Sequence, residues 1–267
     1  MKHHVMSYTR DVSKLHIEPP AYTFPGDEAI SGFAYKAAMN NTYLRKVPLA
    51  TALMERFKVP FTKQDQECIK RMIVAMGWLD HLLDESPSPT RALEAYKKLL
   101  NSLSTGKMPE GLPEWLRPEL LDMTLLLQNA VAQLPPEAVQ AITAKALRIG
   151  EISKLKAASN KVKVYAGILT EEGSLSSDLA IECLGKPARA SKNYRKLYVW
   201  NEQAIIAATL LDAAKDLKQD YADGLTLVRP TRLHKAYLLG KALSYSRVVA
   251  GGLGLRGMRA ISKVGVN

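Results

Sequence analysis

Apolar residues recur every three or four positions along most of the chain, which is the period of an amphipathic helix. The clearest stretch runs from Asp65 to Glu85. There Ile69, Met72, Ile73, Met76, Leu79 and Leu83 share one strip, and Ser-Pro-Ser-Pro then stops the helix. The same spacing predicts further helices over about 90–104, 115–132 (opened by PEWLRPEL), 136–158, 160–169, 174–184, 191–223 and 230–249. No segment shows the apolar–polar alternation of a half-buried strand. TGKMPEGLP, QLPPE, EEGS, LGKPA and DGLTLVRP are rich in turn-forming residues and are expected to punctuate the helices. The chain is therefore expected to be all-α, a single-domain helical bundle over residues 29–250 with short connections. Ahead of it, in residues 1–28, EPPAYTFPGDE carries prolines and a glycine that forbid a continuous helix and predict an extended N-terminal arm. Behind it, residues 251–267, GGLGLRGMRAISKVGVN, are glycine-rich and basic, which predicts a flexible tail without a catalytic role.

Composition narrows the class. A chain of 267 residues with 47% hydrophobic residues buries a full core without being forced to split. Cys68 and Cys183 lie far apart and form no Cys-x-x-Cys pair. Neither a disulfide framework nor a thiolate zinc site is indicated, and a reducing, cytoplasmic setting is expected. No apolar run reaches the roughly 20 residues that span a bilayer, and MKHHVMSYTRDVSK has no apolar stretch behind its charges to act as a secretion signal. His3, His4, His16, His81 and His234 are scattered, without the spacing that sets two imidazoles on one helical face. The 37 basic and 26 acidic residues give a formal charge of +11, which favours an anionic partner. Aromatic residues make up only 7% and no basic stretch is interleaved with them, so nucleic acid is not the expected partner.

Two carboxylate clusters interrupt otherwise apolar helical strips. In WLDHLLDE, Asp80 and Asp84 stand one turn apart, in line with Met72 and Met76. In LDAAKDLKQD, Asp212, Asp216 and Asp220 stack over two turns below Ala204 and Ala208. Like charges at this spacing repel by a few tenths of a kcal/mol per pair, a penalty that a divalent cation removes. Magnesium prefers oxygen ligands and typically takes one or two carboxylates, with the remainder from water and substrate phosphates. Two aspartate ladders facing a common space would suit a metal-bound diphosphate. Taken singly, each ladder also reads as a solvated helix face, with Lys215 and Lys218 neutralising the second.

The two motifs resemble those of the class I isoprenoid (terpenoid) synthases, in particular the squalene/phytoene synthase-like branch and the bacterial large terpene synthases. LDHLLDE is similar to the D-x-x-x-D-E of that branch. LLDAAKDLKQDYADG is similar to its second motif, with Asp212, Asp216, Asp220 and Gly224 at the matching places, and YVWNEQAIIAATLLD resembles the helix that leads into it. KVYAGILTEEG has the tyrosine and glycine placement of the helix that breaks beside the substrate in this branch. The resemblance covers roughly residues 66–230 and implies a helical bundle of the isoprenoid synthase type around an apolar cavity. It further implies a cluster of magnesium ions, three in the family, held by Asp80 and Asp84 from one side and Asp212, Asp216 and Asp220 from the other. These would clamp a prenyl diphosphate, whose departure leaves a carbocation in the cavity. Tyr165 would face that cation, and Arg195, Lys196 and Lys215 would meet the diphosphate.

Departures from the pattern favour one reaction over another. The adjacent double aspartate of chain-elongating prenyltransferases and of most sesquiterpene cyclases is missing. Gly77 and Trp78 occupy the stretch where squalene and phytoene synthases carry an arginine, and Lys215 stands where they carry another. Lysine holds phosphate as a point charge without the bidentate fork. Cyclisation or elimination of a single substrate is thus expected ahead of head-to-head condensation of two. The alternative from another class is a non-catalytic basic helical protein that docks on anionic membrane or nucleic acid, and peripheral contact of the basic tail with a membrane remains open on either reading.

Overall fold

The computed structural model describes residues 54–85, 89–107, 109–111, 124, 127–132 and 134–264, with the side chains at 74, 78–85, 89–92 and 252–264 outside that description. The expected N-terminal arm, and residues 115–123 of the expected 115–132 helix, lie outside the described residues, while 127–131 are helical. Among the described residues every named element is a helix: α1 (Lys63–Glu85), α2 (Pro89–Thr105), α3 (Pro136–Ala158), α4 (Val162–Glu182), α5 (Lys186–Arg189), α6 (Tyr194–Ala222) and α7 (Arg232–Val264).

The α1 start is fixed by a reciprocal cap. The Thr62 backbone N–H and hydroxyl both donate to Asp65 Oδ2, at 2.8 and 2.7 Å, while the Asp65 N–H donates to the Thr62 hydroxyl at 3.1 Å. Asp65 is buried, and its other oxygen accepts the Gly185 N–H at 2.7 Å, which pins the beginning of α1 to the α4–α5 connection. Beside this pin Cys68 and Cys183, 115 positions apart in sequence, meet as buried free thiols. Their shared hydrogen bond, together with burial, holds the Cys183 thiol well above its ordinary range.

The helices pack largely in chain order, α2 on α1 and α3, α4 on α3 and α6, and α6 on α7, with α4 also touching α1 and α7. The connections α1–α2, α3–α4 and α6–α7 are short and favour packing of those neighbours, whereas residues 106–135 separate α2 from α3. The core divides in two. The first cluster draws on α1, α2, α3, the end of α4 and the beginning of α6, with Tyr96, Leu99, Leu100 and Ile142 almost wholly buried. Tyr96 donates its hydroxyl hydrogen bond to the Ala146 carbonyl. The second cluster is built by the first half of α4, the second half of α6 and the first turns of α7, and includes Tyr165, Leu169, Leu210, Leu217, Val228 and Leu238.

Three elements depart from the sequence-based expectation. The predicted helices 160–169 and 174–184 are one helix, α4, that runs through Glu171-Glu172-Gly173-Ser174 without a break. Gly173 is not a turn residue there. A Cβ on it would lie 2.8 Å from Ile206 Cα, so the glycine lets α4 and α6 approach closely. The family-implied helix break in KVYAGILTEEG is accordingly absent, because that segment is the packed first half of α4. LGKPA, expected as a turn, contains the short helix α5, opened by Pro187 near its start, where the missing N–H costs no helical bond. Finally, α7 does not end near residue 249 but continues to Val264, through the segment expected as a flexible tail. That segment holds no proline to remove a helical bond.

Candidate functional site

Asp212, Asp216 and Asp220 occupy the last turns of α6, beside the buried Ala213, Ala214 and Leu217 that anchor this helix in the second core cluster. Asp212 is exposed, whereas Asp216 and Asp220 are half-buried. The ladder thus climbs the edge of an apolar surface. Its end is fixed by the following loop. Gly224 adopts φ +78°, a left-handed conformation that favours glycine, and the Leu225 N–H donates back to the Asp220 carbonyl at 2.8 Å. Two residues on, the Leu227 N–H donates to the Ser159 carbonyl at 3.2 Å, stapling this loop to the α3–α4 turn.

That staple brings Lys156, on the last turn of α3, into electrostatic range of Asp220. Burial pushes the Asp220 carboxyl up and Lys156 pulls it down, but Asp216, Asp212 and Asp223 add to the upward push, and it titrates at about 6 instead of 3.8. Lys156 Nζ also lies 3.2 Å from Glu172 Oε1 on α4, both side chains being largely shielded from solvent. Lys156, one of several lysines in a run that reads as a solvated face, is therefore shared between two helices' carboxylates.

The remaining expected site residues fall elsewhere. Asp80 and Asp84 lie on the final turns of α1, and their side chains are outside the described residues. Both α1 and α6 set out from the end of the bundle where α4 finishes: Asp65 is pinned at Gly185, and Tyr198, on the second turn of α6, donates to Asp178 near the end of α4 at 2.7 Å. Each acidic motif sits near the far end of its own helix. Tyr165 is 1% exposed and packs in the second core cluster. Lys215 is exposed on α6 between two ladder positions. Arg195 and Lys196 are exposed on the first turn of the same helix. Asp212 lies 17 residues further on, or about 25 Å at the helical rise, so these two cations stand at the other end of α6 and do not share the ladder's surroundings.

The sequence reading missed a second polar assembly. Lys145 Nζ on α3 lies 2.8 Å from Glu182 Oε1 and 3.4 Å from Asp178 Oδ2, both on α4, and Arg189 on α5 reaches Glu182 Oε2 at 2.8 Å. Burial opposes the Glu182 charge, but Lys145 and Arg189 outweigh it and hold the carboxyl below its ordinary range. Burial likewise opposes the Lys145 charge, and Glu182 and Asp178 overcome it, raising that ammonium. The Tyr198 hydroxyl is pushed up, first by its hydrogen bond to Asp178 and then by burial. A signal existed: Glu171, Ser174, Asp178 and Glu182 fall on one helical face, which becomes visible only when Gly173 is read as lying inside a helix.

Every charge in this second assembly is answered by an opposite one, so it acts as a brace between α3, α4, α5 and α6. The ladder, in contrast, gathers Asp212, Asp216 and Asp220 along one edge of a single helix, with Lys156 of α3 bearing on Asp220. Among the described residues no three His, Cys, Asp or Glu side chains converge as a ready-made metal cage. As a donor set, however, the ladder is all carboxylate oxygen, the kind that hard divalent cations prefer. Comparison of the chain with protein-family models, with curated proteins and with solved structures finds no match.

Proposed function

We propose that this protein is a magnesium-dependent enzyme that ionises a prenyl diphosphate, in the manner of the class I terpenoid synthases, with the α6 ladder as one wall of its site. The observation that carries this reading is the placement of Asp212, Asp216 and Asp220 one turn apart on the rim of the apolar second core, with Asp216 and Asp220 half-buried. An ordinary solvated face would not draw carboxylates into partial burial beside one another, since each loses hydration and repels the next.

Asp212, Asp216 and Asp220 would hold the metal from α6, and Asp80 and Asp84 from α1. Bound magnesium supplies charge stabilisation to the departing diphosphate. The chain's own residues have three tasks. The ladder orients the metal-bound headgroup. Lys156 and Lys215 add positive charge beside it, as point charges without a bidentate fork. The buried apolar side chains beside the ladder, with Leu169, Leu210 and Leu217 among them, would back the headgroup with a surface that holds no water. Arg195 and Lys196 have no place in this scheme, because a helix length separates them from the ladder. Single-substrate cyclisation or elimination is favoured over condensation because the arginines resembling those of the condensing enzymes are missing.

The test is incubation of the purified chain with geranyl, farnesyl and geranylgeranyl diphosphates, with and without magnesium, reading released diphosphate and extracted hydrocarbon. Magnesium-dependent release that disappears in Asp216→Asn is expected. Release from none of the three, together with a melting temperature indifferent to magnesium, would sink the proposal.

A further inference from the structure

The last helix is amphipathic in an unusual sense. Its inner face, with Leu238, Ala242 and Val249 buried, is spent on packing against the bundle. Its outer face also carries large apolar residues, set beside the exposed Ser244 and Arg247. Leu233 is 81% exposed and Leu243 63% exposed, and at 100° per residue they fall on the same side as the exposed Ala236 and Gly240, with Leu239 and Val248 towards its margins. Leu227, in the loop that leads into this helix, is 53% exposed as well. Most large apolar residues left in water occur singly and need no explanation, but a row of them along one helix face does.

The charges of α7 indicate what covers that row. Over its 33 residues the helix has no Asp or Glu and carries Arg232, Lys235, Lys241, Arg247, Arg256, Arg259 and Lys263. Lys241 and Arg232 flank the apolar strip, and Arg247 has a stem long enough to lie along it with its head in water. We propose that the outer face of α7 docks on an anionic membrane surface, with Leu233 and Leu243 entering the headgroup boundary and the flanking cations on the lipid phosphates. Two copies of α7 placed face to face would set Arg232, Lys241 and Arg247 against their counterparts with no acidic residue on either helix, which argues against self-association there. A nucleic acid would satisfy the cations but leave the leucines without a reason to be outside. Among the described residues no helix is long and apolar enough to cross a bilayer, so the helix lies on the surface. Since Leu227 and Leu233 follow directly on the ladder's loop, docking would present the ladder end of the bundle to the lipid. The surface argument is independent of the diphosphate reading, and its test involves no turnover.

The experiment is flotation of the full chain with vesicles of phosphatidylcholine alone and with phosphatidylglycerol making up about one third of the lipid. Wild type is expected to float with the anionic vesicles, to stay behind with the neutral ones, and to be partly released by salt. The double variant Leu233→Glu/Leu243→Glu is expected to bind about tenfold more weakly, with circular dichroism unchanged because both side chains lie in solvent. Arg232→Gln/Lys241→Gln should weaken binding to the anionic vesicles as well. Equal behaviour with both vesicle types, or a leucine variant that floats like wild type, overturns the proposal. So does a wild-type dimer in sedimentation velocity that the leucine variant dissociates, which would make a second copy the occupant. Binding to a DNA duplex matched by the leucine variant, without flotation, would assign the face to charge alone and equally overturn it.

Discussion

At Asp220 the loss of hydration and the charges of Asp216, Asp212 and Asp223 together outweigh the attraction of Lys156, and the carboxyl holds its proton up to about pH 6. The folded value lies above the ordinary 3.8, so the native chain binds this proton more tightly than the unfolded chain. Ionised Asp220 consequently subtracts from stability as pH rises from about 3.8 through about 6, and the penalty is complete above that window. Without added magnesium, Asp220→Asn is expected to melt higher than wild type at pH 8, with the difference closing as pH falls towards 4; calorimetry at the two pH values checks it. A difference independent of pH would mean that the side chain acts through packing, not charge. The motif spacing alone marks Asp220 as a candidate, but its raised proton affinity comes first from burial and persists against the pull of Lys156 on α3, and no local spacing encodes either.

Helix α4 is a case in which one atom decides an element's neighbours. With hydrogen at Gly173, the α6 backbone at Ile206 comes close enough that a methyl group would meet Ile206 Cα at 2.8 Å. Six residues earlier, Gly167 faces open space, with nothing within 4 Å of its missing Cβ. The same substitution should therefore have opposite signs. Gly173→Ala is expected to destabilise by about 1–3 kcal/mol through forced separation of the two helices. Gly167→Ala is expected to stabilise by roughly 0.5–1 kcal/mol through reduced backbone freedom in the unfolded chain. Urea titrations of both variants check the pair, and a stabilising Gly173→Ala would contradict the close approach. The helical period located α3 at its observed limits, 136–158, and α1 within two residues, since those depend on contacts three and four positions away. It misread EEGS because glycine beside two glutamates has the local chemistry of a turn, and the reason to keep a glycine inside a helix lay 33 positions away at Ile206.

On the scale of the whole molecule the two polar assemblies differ in how many helices they join. The brace joins Lys145 of α3, Asp178 and Glu182 of α4, Arg189 of α5 and Tyr198 of α6. Glu182 is its centre and titrates below 4.5, so its contribution is fully present above that value and is lost as pH falls through the folded value. Glu182→Gln is expected to cost about 1–3 kcal/mol near pH 7, since two charged partners lose their counter-ion, and to cost progressively less below pH 4.5. Denaturant titrations across that range check both the size and the pH trend. The ladder instead gathers carboxylates along one edge of a single helix beside an apolar surface, which is why it and not the brace carries the functional proposal. The sequence by itself determined that the chain is helical, where most helices begin, and which two stretches concentrate carboxylates, because all of these follow from residue type and near-neighbour spacing. Only the tertiary structure decided that Cys68 meets Cys183, that Lys156 faces Asp220, that Arg195 and Lys196 stand a helix length from the ladder, and that α7 turns leucines outward. Each of those depends on which helices adjoin and at what height, and a period of three to four residues carries no record of either.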